Sequence, residues 1–335
     1  MLVAIAIGVR IYFDQGNDFD VVGEKTEEPG GIFGFLGFGD SPSDTGSSAQ
    51  TDTPDENTQD RPVFIPTLRQ VTDEPVAGAT FIGTSTIRYV DRGTGHIYDV
   101  ETDSHEFVKV SNTTIPKVYQ AHWLSEGDFV VYQQLNDSGK IKTSLIGLIE
   151  KTGTTTDSLY DVSVAFLPDN ISDVAALPTK EEFAYINTSD NSVTITNSST
   201  PSTFFVSGSE WLLEWSENNV LSLTTKASAR TPGYSYTSTR SGALSKVIGG
   251  INGLTTHKND NWLLYSQSNG NTFETKSQNL TTGTTTPLTP ATLPEKCAFL
   301  GTTDSHVLCG TPSEIPNIQY PDAWYQGLEI GRAHV

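Results

Sequence analysis

A short, apolar, β-forming run recurs along the chain, and this recurrence constrains the fold more than any other feature. Measured between their first residues, the runs are spaced by 42, 54, 37, 42 and 45 residues, with a mean of 44. A polar turn such as Leu124–Asp128 precedes each run after the first, as expected between the strands of hairpins. The runs are Ile87–Val90, Phe129–Tyr132, Phe183–Ile186, Val220–Leu223, Trp262–Tyr265 and Val307–Cys309.

A second repeated element supports the same period. The pentapeptide Thr-Gly-Thr-Thr-Thr occurs at 152–156 and again at 282–286, 130 residues later and close to three periods. A period near 44 with about four strands per unit is typical of a β-propeller blade. Helical repeats of this length would need apolar residues at 3.6-residue spacing, whereas Thr, Val and Ile dominate here. The sequence therefore predicts an all-β propeller of four-stranded antiparallel blades over residues 67–328, with about five to six blades.

The N-terminal 13 residues are apolar apart from Arg10. A helix of that length spans about 20 Å, less than the roughly 30 Å of a bilayer core. We interpret residues 1–13 as part of a membrane anchor that begins upstream; the alternative is a short buried strand or helix.

The opposite end, Glu329–Val335, resembles a translated sequencing adapter. On that interpretation the natural sequence is cut near Leu328 and the propeller is C-terminally truncated. The alternative is that this resemblance is coincidental.

Residues 14–66 form a predicted linker. Between Asp14 and Asp60 there are 12 acidic residues and one basic residue, Lys25. From Gly39 to Pro62 a single Ala is the only aliphatic side chain, so this stretch cannot bury enough apolar surface to fold. The sequence predicts a disordered, charge-extended tether.

Net charge excludes one class of function. The chain carries 20 Lys and Arg against 40 Asp and Glu, a formal charge of −20. Nucleic-acid binding needs a basic face, so we expect no nucleic-acid partner. The sequence contains no zinc-protease His pair, nucleophile elbow, phosphate-binding loop or EF-hand loop, and we expect neither catalytic residues, nor a metal site, nor a cofactor.

The two cysteines have a specific predicted arrangement. Cys297 and Cys309 are equidistant from the centre of a predicted hairpin turn at 301–305, which places them directly opposite each other. A disulfide between facing strand positions needs only a small adjustment and implies an oxidising compartment. The alternative is a pair of buried free thiols on neighbouring strands.

The recurring turn followed by an apolar strand resembles the TolB-type, WD40-like propeller superfamily. Three longer motifs, Tyr89–Val100, Thr113–Tyr119 and Thr231–Tyr236, are similar to those of uncharacterised bacterial proteins with an N-terminal anchor, a low-complexity linker and one propeller. The resemblance covers roughly residues 68–328 and implies a protein-binding role in the cell envelope. The Gly-His and Trp-Asp pairs of eukaryotic WD repeats do not frame these repeats.

Topology suggests where a ligand would bind. In an up-and-down blade, the turn between strands two and three and the loop to the next blade emerge on one face. The longest such turn is Lys226–Tyr236, and the loop Asn112–Tyr119 is expected on the same side. Arg, Tyr and Trp are frequent binding anchors, although Tyr and Trp also pack blades together. The candidate binding residues are Tyr119, His122, Trp123, Arg230, Tyr234 and Tyr236.

We therefore expect a monomeric, membrane-tethered, extracytoplasmic binding module without enzymatic activity, whose partner is an envelope protein or a cell-wall glycan. Two alternatives stay open at this point. The propeller could precede a hydrolase domain, as in prolyl-oligopeptidase-like peptidases, or it could belong to a purely structural surface protein.

Overall fold

The computed structural model describes residues 10–11, 70–104, 106–151, 159–177, 179–197, 201–206, 210–216, 220–312, 315 and 317–326. The predicted linker, the C-terminal heptapeptide and most of the predicted anchor lie outside these residues. Only Arg10–Ile11 of the anchor segment is described, as a two-residue strand.

Five four-stranded antiparallel sheets follow one another along the described chain, and each sheet uses four consecutive strands. The strands of sheets 1 and 2 are β2 (Val76–Ile82), β3 (Thr86–Asp91), β4 (Ile97–Glu101), β5 (Phe107–Ser111), β6 (Val118–Leu124), β7 (Phe129–Leu135), β8 (Ile141–Glu150) and β9 (Tyr160–Phe166). Those of sheets 3 and 4 are β10 (Ile171–Leu177), β11 (Glu182–Asn187), β12 (Ser192–Asn197), β13 (Ser202–Phe205), β14 (Trp211–Trp215), β15 (Leu221–Thr225), β16 (Pro232–Ser238) and β17 (Leu244–Asn252). Sheet 5 contains β18 (Thr256–Lys258), β19 (Trp262–Ser268), β20 (Phe273–Asn279) and β21 (Thr285–Leu288).

A sixth sheet has three described strands. The strands β22 (Cys297–Phe299) and β23 (Val307–Thr311) form a hairpin, and β1 (Arg10–Ile11) pairs antiparallel with β23. The only described α-helix is the four-residue α1 (Asp322–Tyr325), and no described helix is long and apolar enough to span a bilayer.

The sheets are arranged as the blades of a propeller. The first strands of neighbouring sheets lie against each other, β2 with β6, β6 with β10 and β10 with β14, so these strands surround a common axis. The close approach is visible at Gly78 of β2, where a Cβ atom would lie 2.0 Å from the carbonyl oxygen of Ala121 in β6. The predicted all-β propeller fold is confirmed.

The recurring apolar run corresponds to one strand of each blade. Each apolar run falls in the second strand of its sheet: β3, β7, β11, β15, β19 and, in the sixth sheet, β23. A second strand is flanked by the first and the third within its sheet. In the five four-stranded sheets, consecutive side chains of this strand are buried on both faces, whereas β23 is half-buried throughout. This two-sided burial explains why these runs are continuous in hydrophobicity rather than alternating.

The core lies between the sheets. Sheets 1 and 2 pack through Val90, Val130 and Tyr132, whereas sheets 3 and 4 pack through Leu177, Val193 and Leu223. These six side chains are at most 1% exposed. Burial of this kind is worth about 1.5–3 kcal/mol per large apolar side chain, so the inter-sheet contacts account for much of the stability of the propeller.

Candidate functional site

Chain direction divides the propeller into two faces. Because the strands alternate in direction, the turns between second and third strands and the loops between sheets all lie at one end of the sheets. We call this end the loop face; it includes residues 92–96, 112–117, 226–231 and 269–272. It is the end at which the sequence analysis places a ligand.

A polar cavity of about 490 Å³ opens on the loop face between sheets 4 and 5. Arg230 reaches it from the β15–β16 turn, and the β19–β20 turn forms its other wall. Amide and hydroxyl side chains therefore surround a single guanidinium. The lining residues are Ala229, Arg230, Asn252, Ser268, Asn269, Gly270 and Asn271.

Short-range hydrogen bonds fix the β19–β20 wall. Asn269 Oδ1 accepts from the backbone amide and the hydroxyl of Thr272, at 3.0 and 2.7 Å. Ser268 Oγ accepts from the amide of Gly270 at 3.1 Å. An Asx turn of this kind presets its backbone before any ligand arrives.

The opposite wall is held by the C-terminal part of the described chain. Asp322 of α1 accepts a hydrogen bond from the Ala229 amide at 2.6 Å, next to Arg230. Lys226 Nζ lies 5.3 Å from the centre of the Tyr325 ring, and Lys296 Nζ lies 3.7 Å from that of Trp324. Through these contacts α1 holds the Lys226–Thr231 turn in place.

A partly buried carboxyl group lies where the first strands of sheets 3 and 4 meet. Asp173 Oδ2, in the first strand of sheet 3, accepts from the Leu213 amide in the first strand of sheet 4 at 2.5 Å. Burial raises the pKa of Asp173 to about 7, and nearby Lys226 opposes that increase. Burial likewise raises the pKa of Tyr119 to about 12, with the charge of Asp173 adding to the effect.

The candidate binding residues predicted from sequence are separated by the fold. Arg230 lines the cavity, and Tyr234 lies in β16 with Lys246 Nζ 5.3 Å from its ring centre. Tyr119 is half-buried at the start of β6, and its hydroxyl lies near Asp173 rather than at the cavity.

The other three candidates pack between or within sheets. Trp123 is 5% exposed in the core between sheets 1 and 2, and Tyr236 packs edge-on against Trp211 at 5.9 Å. His122 is in the same strand as Trp123, and burial lowers its pKa to about 4. The strand β6 leads away from the loop face, so His122 and Trp123 do not emerge with the Asn112–Tyr119 loop. The contacts of Trp123 and Tyr236 therefore fit a role in packing the blades better than a role in binding a ligand.

The cysteines lie in the sixth sheet. Cys297 is opposite Cys309 in the β22–β23 register, and a 2.09 Å bond joins their sulfurs. The pairing is the one that the hairpin spacing predicted.

Sequence reasoning missed the polar contacts between first strands. Glu214 of β14 hydrogen-bonds the ring of His257 in β18, and its Oε1 also accepts from the Lys258 amide at 3.3 Å. His257 stacks on Phe299 with ring centres 5.3 Å apart. The sequence signal for these contacts was a polar residue that recurs in the first strand of successive repeats. Within the described residues, no three His, Cys, Asp or Glu side chains form a metal-binding group.

Comparison with known proteins agrees with the fold. No family model and no curated protein matches the chain. A structure of oligogalacturonate lyase in complex with manganese is similar at a TM-score of 0.50 and 12% identity, covering 73% of this chain and 80% of that chain.

Two further solved structures align at lower scores. TolB from Acinetobacter baumannii has a TM-score of 0.44 at 12% identity, with 72% of this chain and 66% of that chain covered. The β-propeller domain of Cps50 (Swd1) from Myceliophteria thermophila has a TM-score of 0.39 at 9% identity, with 72% and 98% covered. At these identities the likenesses concern architecture, and activity has to be argued from the site itself.

Proposed function

We propose that this propeller is a non-enzymatic binding module that holds a neutral cell-wall glycan in the cavity between sheets 4 and 5. The observation that carries the proposal is the chemistry of that cavity. Amide side chains donate and accept hydrogen bonds at once, which suits the hydroxyl groups of a sugar. Asn252 and Asn271 supply such amide groups, and Arg230 adds hydrogen-bond donors from a third element.

Charge favours a neutral ligand over an anionic one. The chain has a formal charge of −20, so long-range attraction does not favour a polyanion, and the cavity contains a single guanidinium. The volume of about 490 Å³ lies within the range of small-ligand sites and would accommodate one or two sugar rings.

We further propose that the protein acts outside the cytoplasm as a tethered monomer. The Cys297–Cys309 disulfide supports this location, because such bonds persist in oxidising compartments. The apolar residues 1–13 would supply the membrane contact and residues 14–66 the spacer. Alkylation of living cells tests the location: both cysteines labelled without prior reduction would contradict export.

Sedimentation with insoluble peptidoglycan tests glycan binding, with titration of soluble N-acetylglucosamine tetramer as the quantitative assay. We expect the full chain to co-sediment and Arg230→Ala to weaken tetramer binding about tenfold, the loss of one or two hydrogen bonds. Lys180→Ala is the matched control, because Lys180 is exposed in a first-to-second-strand turn at the opposite end.

Equal binding by the Arg230→Ala variant and the parent would contradict the proposed site. Capture of a specific envelope protein, with no retention on peptidoglycan, would favour a protein partner. Turnover of the tetramer by the parent chain would overturn the non-enzymatic assignment.

A further inference from the structure

A second cavity lies on the loop face at sheet 1 and has different chemistry. Its volume is about 590 Å³, and its walls come from the segment before β2 and from the β3–β4 turn. It is lined by Glu74, Pro75, Asp91, Arg92, Gly93, Thr94 and Tyr98. No motif in the sequence analysis pointed to it as a site.

The two walls are fixed to each other. The Arg92 amide donates to the Pro75 carbonyl at 2.8 Å, which joins the turn to the segment before β2. Asp91 Oδ1 accepts from the amide and the hydroxyl of Thr94, both at 2.6 Å, so this carboxylate is committed to the turn. The cavity is thus formed without a ligand.

An aromatic ring forms part of the cavity wall. Tyr98 stacks on Tyr89 with ring centres 5.5 Å apart and an interplanar angle of 22°. Lys109 Nζ lies 5.7 Å from the centre of the Tyr98 ring. These contacts hold the ring in one orientation beside the cavity.

Two opposite charges in the cavity have no ion-pair partner among the described residues. Glu74 and Arg92 are both exposed, belong to different elements and line the same space. Neither side chain forms an ion pair with another of the residues that the structure describes. With Asp91 committed to the turn, the described part of the cavity offers one carboxylate and one guanidinium for a ligand.

We propose that this cavity binds a free α-amino acid, with its ammonium group on Glu74 and its carboxylate on Arg92. A guanidinium recognises a carboxylate through two parallel hydrogen bonds, and a carboxylate accepts strong hydrogen bonds from an ammonium group. An apolar side chain of the ligand would contact the edge of the Tyr98 ring, because Tyr89 and Lys109 cover its faces. A dication would be repelled by Arg92, and a dianion by Glu74 and Asp91, so a zwitterion fits this pair of charges better than either.

Calorimetric titration of the full chain with a matched ligand series tests the proposal. The probes are L-phenylalanine, 3-phenylpropanoate and 2-phenylethylamine, which share the ring and differ in the two charges. We expect phenylalanine to bind at least tenfold more tightly than either analogue. Equal affinity for phenylalanine and one of the analogues would overturn the proposal.

Two variants test which residue binds which charged group of the ligand. Glu74→Gln should reduce phenylalanine affinity to that of 3-phenylpropanoate, and Arg92→Gln should reduce it to that of 2-phenylethylamine. Both residues are exposed, so neither variant should change the melting temperature, and Lys180→Ala serves as the unaffected control. Unchanged phenylalanine affinity in either cavity variant would contradict the assignment. This cavity is independent of the proposed glycan site, and failure of one leaves the other standing.

Discussion

The interface between sheets 3 and 4 and the interface between sheets 4 and 5 share a sheet but differ in chemistry. Toward sheet 3, sheet 4 presents Trp211, Trp215 and Leu223, which pack into a continuous apolar core. Toward sheet 5, its inner strands present Glu214, Ser222 and Thr224, and apolar contacts resume only around Leu254 and Leu263.

The difference shows that the two faces of one blade can pack in two different ways. Apolar contacts on one face need only matching volume, whereas polar contacts on the other need matched partners. On the polar face Thr224 meets Thr256 at 2.7 Å, yet Glu214 Oε2 and the Ser222 hydroxyl are buried without a partner among the described residues. The apolar interface should therefore contribute more stability than the polar one.

Adjacent residues of β15 provide the sharpest test, with the largest expected effect. Leu223 is fully buried toward sheet 3, and Ser222 is 1% exposed toward sheet 5. Leu223→Ala should lower the free energy of unfolding by about 2–5 kcal/mol, because it removes apolar contacts and leaves a cavity. Ser222→Ala should be neutral or stabilising, because it removes an unpartnered hydroxyl. Urea denaturation measures both, and similar losses would contradict the comparison.

Asp173 is a polar residue at the apolar interface. Its contribution to stability can be measured separately because it depends on pH. Its folded pKa of about 7 exceeds the ordinary value of 3.8, so the folded state retains a proton that the unfolded chain loses. The stabilisation that the protonated Asp173 provides is complete below about pH 4 and is lost as the pH rises through about 7. Asp173→Asn should abolish this slope and make the variant more stable at pH 8, by about 2–4 kcal/mol.

The measurement is the difference in unfolding free energy between parent and Asp173→Asn across pH 4–8. Taking the difference cancels the titration of groups that do not interact with Asp173. Glu295, whose pKa is also raised by burial, interacts with Asp173 electrostatically and is not cancelled. Lys226, Tyr119 and Tyr325 also interact electrostatically with Asp173, and all three are the same residues in both proteins. A flat difference would show that Asp173 does not titrate in this range.

The Glu214–His257 pair tests the polar interface. Both side chains are at most a quarter exposed, 25% and 17%. His257→Leu should cost about 1–3 kcal/mol, because it leaves the Glu214 carboxylate buried without its ring partner. The double variant Glu214→Leu with His257→Leu should be less destabilised than His257→Leu alone. A double-mutant cycle in urea gives both values, and additive losses would contradict coupling.

The smallest expected effect concerns the Thr224–Thr256 hydrogen bond. Thr256→Val keeps the shape of the side chain and removes its hydroxyl. Since Thr224 also donates to Ser235 at 2.9 Å, the loss should be about 0.5–1.5 kcal/mol. Thermal denaturation measures this loss, and a loss as large as that of Leu223→Ala would contradict the ranking of the two interfaces.

The sequence predicted the parts of this molecule that depend on local pattern. The period of the second strands indicated the propeller, and symmetric spacing within one hairpin placed Cys297 opposite Cys309. Contacts between blades were much harder to predict. Glu214 and His257 are 43 residues apart, and Asp173 meets Leu213 at a separation of 40, so both pairs depend on how neighbouring sheets stack.

The two cavities illustrate the same limit. Arg230 was found because its turn is long, whereas Glu74 and Arg92 come from short segments that look like ordinary polar turns. Nothing in their spacing reveals that backbone hydrogen bonding joins the two segments. Trp123 and Tyr236 show the converse ambiguity, because an aromatic residue near a loop has the same composition signal whether it is exposed or packed.

Both cavities lie at one end of the blades, and this asymmetry has a practical use. The third-to-fourth-strand turn at Thr281–Thr284 lies at the opposite end, is exposed, and contains Gly283, around which a Cβ atom would meet nothing within 4 Å. A dye or an affinity handle inserted there would leave the loop face open. Molecules coupled to a sensor chip through this turn would all present the same end to the solution, so both candidate ligands could be assayed on one surface.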